Sequence, residues 1–223
     1  MKFGLNDYFR MWKKRGIRLP LSYFLQTHLF DIIHRTDTHI WLPKEKYVDK
    51  PKNFENGVLY MSSWTNTIKS ATNKAIDLFS LNPKNFALVD VGCGKGKVLC
   101  VWNKMFPRVK NIIGLDYSPH LIQICKRNLK KISALNVELI CGDAADIELD
   151  CDCEVFIFYL YNPFDSKILD KFLNKISNKR VVIIYNKPMH KGVLIDKGFK
   201  EFFNKESWHP NADFAIFSNL TPT

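Results

Sequence analysis

Residues 87–99 read Ala-Leu-Val-Asp-Val-Gly-Cys-Gly-Lys-Gly-Lys-Val-Leu, and the fold follows from this stretch. An apolar run from Phe86 to Val91, broken only by Asp90, meets glycines at 92, 94 and 96, and a second apolar run starts at Val98. That pattern is a buried strand feeding a tight turn into a helix. Glycines there permit positive φ and let a ligand approach the backbone without meeting a Cβ.

Three ligands compete for such a turn. A dinucleotide fingerprint, G-x-G-x-x-G, needs its third glycine at 97 or 99, where the chain has Lys97 and Leu99. A phosphate-binding loop, G-x-x-x-x-G-K-[ST], fails at Val91 and Val98. What remains is D-x-G-x-G-x-G, with the Asp90 carboxylate two residues before the first glycine. A carboxylate there repels a pyrophosphate but suits a ligand with an amino group and a sulfonium, such as S-adenosylmethionine.

Companion features follow at regular intervals. Asn111–Leu115 is a second strand closed by Asp116, 24 residues after Gly92, where an acidic side chain can accept two ribose hydroxyls. Ser118-Pro119 then supplies an N-cap and a first-turn proline. A third strand, Val137–Cys141, ends in Gly142-Asp143-Ala144, and a fourth, Val155–Leu160, ends in Tyr161-Asn162-Pro163-Phe164. Taken singly, Asp116 and Asp143 also read as capping or turn residues, and Gly142 as a turn glycine. Lys95 and Lys97, on the turn, are expected to be solvated.

From about Tyr60 to the C-terminus the chain resembles the class I S-adenosylmethionine-dependent methyltransferases. The carriers are Asp90-Val-Gly-Cys-Gly-Lys-Gly96, Asp116, Gly142-Asp143-Ala144 and Asn162-Pro163-Phe164. The Phe30-Asp31…His34…Asp37-Thr38 segment and the Asn-Pro-Phe motif are similar to uncharacterised bacterial members. The resemblance implies a Rossmann-like α/β fold: a seven-stranded, mostly parallel sheet with an antiparallel last strand and helices on both faces. It also implies a cofactor set of Tyr60, Asp90, Gly92, Cys93, Gly94, Gly96, Asp116, Tyr117, Asp143 and Ala144. In that set the glycine turn lies against the methionine part, Asp116 binds ribose and Asp143 contacts adenine. S-adenosylhomocysteine would be the product, and Tyr60 and Trp64 are candidates for a lid.

Asn162, Pro163 and Phe164, with Tyr161, are the expected catalytic residues. Methyltransferases of amino nitrogens often carry [ND]-P-P-[YF] at this strand end, where the amide and a proline carbonyl orient the attacking NH. This chain has one proline rather than two, and a plain Asn-Pro turn fits equally well. A second copy of the idea, Tyr185-Asn186-Lys187-Pro188, ends strand five. Transfer from a sulfonium is an in-line displacement with a neutral leaving group, so no metal is required. The favoured acceptor is an amino nitrogen of a protein, lysine first; RNA or DNA comes next, then a small molecule. Other readings are a non-catalytic S-adenosylmethionine-binding module and an enzyme of a related cofactor such as an aminopropyl donor.

The rest of the chain sets limits. With 223 residues and 46% hydrophobic content there is material for one ordinary core plus an appendage. We place a basic helical N-terminal extension at residues 1–57 and the cofactor-binding domain at 58–223. No apolar run nears the ~18–20 residues of a membrane helix, and Met1 to Pro20 lacks the apolar core of a signal peptide. Six cysteines without C-x-x-C spacing suggest reduced thiols in a cytoplasm, with Cys100, Cys125 and Cys141 on apolar faces. Six histidines without H-x-x-x-H or H-E-x-x-H spacing predict no metal.

Net charge is +11, of which Lys2, Arg10, Lys13, Lys14, Arg15 and Arg18 against Asp7 supply +5. Interleaved Tyr8, Phe9, Met11 and Trp12 make this cluster a candidate surface for RNA, an acidic protein or an anionic membrane, or else a helix docked by its aromatic side. Scattered lysines on later helices read as solvated faces. An apolar stripe over Leu21–Ile33 predicts a packed helix, with His28 a packed histidine. Pro43 to Gly57 reads as a connecting loop, Tyr60 to Phe79 as the helix before the first strand, and Lys187-Pro188 as the start of a short helix.

Overall fold

The computed structural model describes residues 5–48, 50–134 and 136–222. Lys2 of the basic cluster lies outside them. Strands β1 (Phe86–Val91), β2 (Asn111–Asp116), β3 (Val137–Cys141), β4 (Val155–Tyr161), β5 (Val181–Asn186), β6 (Lys200–Lys205) and β7 (Phe214–Ser218) form one sheet in the order β3-β2-β1-β4-β5-β7-β6. The first five run parallel, and β7 is antiparallel to both β5 and β6. Strand order reverses between β1 and β4, so the carboxyl ends of β1, β2 and β4 open a crevice there.

Continuous apolar runs explain the central strands. All six residues of β1 and of β5 are buried, as a sheet covered on both faces requires. One face takes Leu88, Ile112, Ile157 and Ile184 against α4 (Thr65–Leu78), α5 (Lys97–Met105) and α6 (Pro119–Lys131). The other takes Val89, Ile113, Phe158 and Ile183 against α7 (Ser166–Ile176) and α8 (Lys191–Asp196). Ser118 caps α6 by accepting from the Leu121 N–H, with Pro119 at the first position. Asp165 caps α7 in the same way through Ile168.

Several local expectations need correction. The helix before β1 starts at Thr65, not Tyr60; Tyr60 instead pairs with Leu42 in an antiparallel bridge. The short helix after β5 starts at Lys191, because Lys187 takes φ 53° and breaks the chain direction. Cys141 is exposed, since β3 is an edge strand with only partial cover. Helices α1 (Leu5–Arg15), α2 (Arg18–Tyr23) and α3 (Leu29–His34) precede the core, with a π-helical turn at Phe24–His28 joining the last two. The apolar stripe at 21, 24, 25, 32 and 33 faces solvent rather than the protein. Leu19, Tyr23, Thr27, Phe30 and Asp31 form the buried side instead.

Candidate active site at the carboxyl ends of the strands

The turn after β1 is built as its glycines require. Gly92, Gly94 and Gly96 have φ of 76°, 52° and 82°. The N–H groups of Gly92 and Cys93 both donate to the Leu115 carbonyl at 2.8 Å, and Gly94 N–H donates to Asp116 Oδ2 at 2.8 Å. A Cβ on Gly94 would stand 2.2 Å from the Tyr60 ring, and one on Gly92 would stand 2.6 Å from Pro163. The first two glycines therefore let the cover and the β4 end close onto the turn. Gly96 serves packing, facing Cys125 on α6.

Around this turn lies a cavity open to solvent. It brings together Tyr60, Asp90, Gly92, Cys93, Asp116, Tyr117, Asp143, Ala144, Tyr161, Asn162, Pro163 and Phe164. Of the predicted site residues only Gly94 and Gly96 are absent from its lining. Trp64 is also absent from the lining, buried against His209.

Two carboxylates dominate its charge. Asp90 is 3% exposed and has no hydrogen-bond donor among the described residues; burial first, then the neighbouring Asp116, pushes its pKa well above the usual range. Asp116 is 4% exposed, and burial raises its pKa to about 6 although Ser118 N–H and Gly94 N–H favour the ionised form. Two buried carboxyls without a cation are an unfinished electrostatic arrangement. A ligand bearing an ammonium and a sulfonium completes it, so these residues fit S-adenosylmethionine.

At the β3 end, Asp143 Oδ1 caps the Ala145 N–H while Oδ2 accepts from Asn53 Nδ2 at 2.7 Å. At the β4 end, Asn162 takes φ 41° and its Oδ1 accepts from the Tyr185 hydroxyl at 3.0 Å. The Pro163 carbonyl accepts from Val58 N–H at 3.0 Å. Phe164 turns into the core beside Phe172 and pairs with Gly57 through its backbone. Tyr161 leaves a buried hydroxyl with no hydrogen-bond partner among the described residues; burial pushes its pKa up, so it stays a donor at neutral pH.

The cover over this cavity comes from described residues within 36–48 and 50–61, and its anchors lie far apart in sequence. Asp31 accepts from Thr36 Oγ1, Thr38 N–H and Oγ1, and His39 N–H and Nδ1, at 2.5–2.7 Å. Burial opposes its charge, but these bonds outweigh it and hold its pKa well below the usual range. The folded 36–39 turn presents the Thr38 carbonyl to the Tyr60 hydroxyl at 2.7 Å. Asn128 ties the same turn to the glycine turn, accepting from Asp37 N–H and donating to the Lys95 carbonyl.

This packing overturns the expectation for the turn lysines. Lys95 and Lys97 are 3% and 2% exposed. Lys95 pairs with Asp37 at 3.4 Å, whereas Lys97 Nζ sits 3.6 Å above the Phe30 ring with no hydrogen bond among the described residues. Burial lowers its pKa to about 7, and Asp31 offsets part of that. Phe30 on α3 covers Lys97, and Asp37 beyond α3 pairs with Lys95, so both lysines are enclosed.

A sheet of this order, with a carboxylate-and-glycine turn at its switch point, defines a class I S-adenosylmethionine-dependent methyltransferase. The chain belongs to the methyltransferase domain family, whose pattern matches residues 82–199. Among curated relatives, a malonyl-[acyl-carrier protein] O-methyltransferase of Priestia megaterium is 29% identical over 48% of this chain and 38% of its own. A carboxy-S-adenosyl-L-methionine synthase of Shewanella piezotolerans is 38% identical over 30% of this chain and 28% of its own. The matched stretch thus spans less than half of either relative. Among solved structures, magnesium protoporphyrin IX methyltransferase from Synechocystis with bound cofactor aligns at TM-score 0.51 and 13% identity, over 69% of this chain and 77% of its own. A ribosomal protein L11 methylase from Lactobacillus delbrueckii aligns at 0.51 and 13%, over 70% and 78%. These likenesses establish the fold.

Proposed function

We propose that the cavity seats S-adenosylmethionine with its methionine end on Asp90 and the glycine turn, its ribose on Asp116, and its adenine between Tyr117 and Asp143-Ala144. The observation that carries this is the buried, donor-free Asp90 carboxylate beside Asp116. Bound there, the cofactor supplies an electrophilic methyl group on a sulfonium. The chain's part is to orient the donor and acceptor and to exclude water, which Tyr60 and Val58 support by closing over Gly94 and Pro163. Calorimetry tests the assignment: S-adenosylmethionine and S-adenosylhomocysteine should bind and NAD should not. Binding of NAD alone would overturn it.

The acceptor we favour is an amino nitrogen, a protein lysine first, held beside Asn162. The left-handed Asn162 supports this, because the Tyr185 hydroxyl fixes its amide in the cavity wall and a second lone pair stays open on Oδ1. Asn162→Ala should cut turnover while sparing cofactor affinity. The Pro163 carbonyl takes the Val58 N–H and, like Asn162 Oδ1, keeps a second lone pair for an attacking amine; RNA or DNA and a small molecule are the other acceptors to test. Labelled methyl transfer into a cell lysate separates these, since protease-sensitive label supports a protein and label passing a small-pore filter supports a metabolite. Nuclease-sensitive label would move the acceptor to RNA or DNA.

A further inference from the structure

Among the described residues, ten of the fifteen exposed large apolar side chains lie between Leu5 and Trp41. On α1 they are Leu5, Phe9 and Trp12, exposed by 88%, 51% and 52%. At helical spacing these three fall within an arc of roughly 60°. No residue of α1 is buried. Beyond the Gly16 corner, Leu21, Leu25 and Ile32 are exposed as well. Clustered large apolar side chains left exposed on one element mark an interaction site.

Charge selects the occupant. Arg10, Lys13, Lys14, Arg15 and Arg18 stand in and after α1. Arg10 pairs with Asp7 at 3.6 Å and Arg18 lies over the Trp208 ring at 4.4 Å, while Lys13, Lys14 and Arg15 meet no acidic partner in α1 besides Asp7. Lys13 lies over the Phe9 ring at 4.9 Å, so cation and aromatic share one patch. A second copy of the chain would bring the same positive patch against itself, which opposes self-pairing. Behind α1, an open groove is lined by Met11, Leu19, Trp41, Pro43 and Leu59 together with Arg10, Lys14, Arg15 and a single carboxylate, Asp7. Leu59 also lines the cofactor cavity, so this surface adjoins the site. No helix among the described residues is long and apolar enough to cross a membrane.

We propose that α1 and the exposed stripe behind it form a peripheral docking surface for an anionic phospholipid bilayer. Phe9 and Trp12 enter the headgroup boundary while the cations meet lipid phosphates. The surface acts whatever the methyl acceptor is.

Vesicle flotation of the full chain tests this, with phosphatidylcholine vesicles containing or lacking phosphatidylglycerol. Binding is expected only with phosphatidylglycerol, weakened by salt. Lys13→Glu with Lys14→Glu should lower partitioning by roughly fivefold per unit charge, and Phe9→Gln with Trp12→Gln should lower it at least tenfold. Since α1 contributes nothing to the core, unchanged S-adenosylmethionine affinity in both double variants certifies that they fold. Equal binding to both vesicle types would overturn the proposal, as would binding to neither. Dimerisation lost in Phe9→Gln/Trp12→Gln, or RNA retention without vesicle binding, would assign the surface to another partner and overturn it too.

Discussion

The glycine turn at 90–96 and the cover at 36–48 and 50–61 enclose the same cavity but are held by different kinds of interaction. The turn is fixed by its own glycines and by the end of the adjacent strand, which takes two of its N–H groups at Leu115. The cover is fixed by distant partners: Asn53 on Asp143, Val58 on Pro163, and Asp31 organising the 36–39 turn beneath Tyr60. A turn of the first kind keeps its shape wherever the strand and helix form. A cover of the second kind exists only when the β1, β3 and β4 ends are already assembled. The two should therefore respond differently to substitution.

They meet at Gly94, where the largest effect is expected. Alanine there keeps a left-handed φ at about 1–2 kcal/mol and places a Cβ 2.2 Å from the Tyr60 ring. Tyr60 is 8% exposed and bonded to Thr38, so it leaves only if the cover leaves with it. Gly94→Ala should lower S-adenosylmethionine affinity at least a hundredfold and increase proteolysis within residues 36–61. Retained protection of that segment would show that the cover tolerates the turn's displacement and that the two regions are independent.

Asp90→Asn comes next and acts on the turn alone. It removes a buried carboxylate that no donor satisfies, so the free protein should gain about 1 kcal/mol, a rise in Tm of about 2–4 °C. Cofactor affinity should move the other way, by roughly 10- to 100-fold, the worth of a hydrogen bond to a charged group. Calorimetry with the two cofactor forms sharpens the result. A larger loss for S-adenosylmethionine than for S-adenosylhomocysteine places Asp90 at the sulfonium, and equal losses place it at the amino group.

The same contrast explains what could be read from the chain. Strand, turn and helix from Phe86 to Met105 follow a period-and-glycine pattern within twenty residues, and Ser118-Pro119 and Asp165 cap their helices through neighbours three positions on. Carboxylates at successive strand ends were legible because a parallel sheet brings every such end to one edge. The cover was not: Asn53 sits in a stretch of proline, asparagine and glycine that reads as loop, and its value lies in a partner 90 residues away. Asp31 shows in the 30–38 segment only as a point of resemblance, without the bonds to 36–39 that give it its role. Lys97 misled for the same reason, since a lysine after glycine looks solvated until Phe30 is placed above it. The stripe at 21–33 misled in the opposite sense, because periodicity locates an apolar face without saying what covers it.

Cofactor affinity should also depend on pH, through the turn rather than the cover. Asp116 titrates at about 6 in the folded protein, raised from its ordinary 3.8 by burial. Between those values the native state holds more protons than the unfolded one, so the free protein loses stability as pH rises from about 4 to 6. The ribose hydroxyls proposed to lie on Asp116 donate best to its ionised form, and the cofactor's positive charge nearby favours it further. Through Asp116, affinity should therefore climb by up to about tenfold per pH unit below 6 and level off above it, any further climb belonging to Asp90. Calorimetry at pH 5 and 7 should differ by about tenfold, and Asp116→Asn should flatten the curve. A midpoint that persists in Asp116→Asn and vanishes in Asp90→Asn would assign the titration to Asp90 instead.

The smallest effect isolates the cover. Asn53 takes φ 64°, so alanine there would combine backbone strain with the lost bond to Asp143. Glycine accepts that φ freely, and Asn53→Gly therefore removes only the side-chain contact. The bond joins an amide to a carboxylate, worth about 1.5–3 kcal/mol where buried, and partial exposure here brings it to about 1 kcal/mol. If that energy belongs to the whole fold, Tm falls by about 2–4 °C. If it belongs to the cover alone, Tm stays put, hydrogen exchange quickens roughly fivefold in residues 50–60, and the cofactor dissociates faster by a similar factor. The second outcome is expected. Asp143 keeps its bond to Ala145 in either case, so the strand end stays formed while the segment above it loosens.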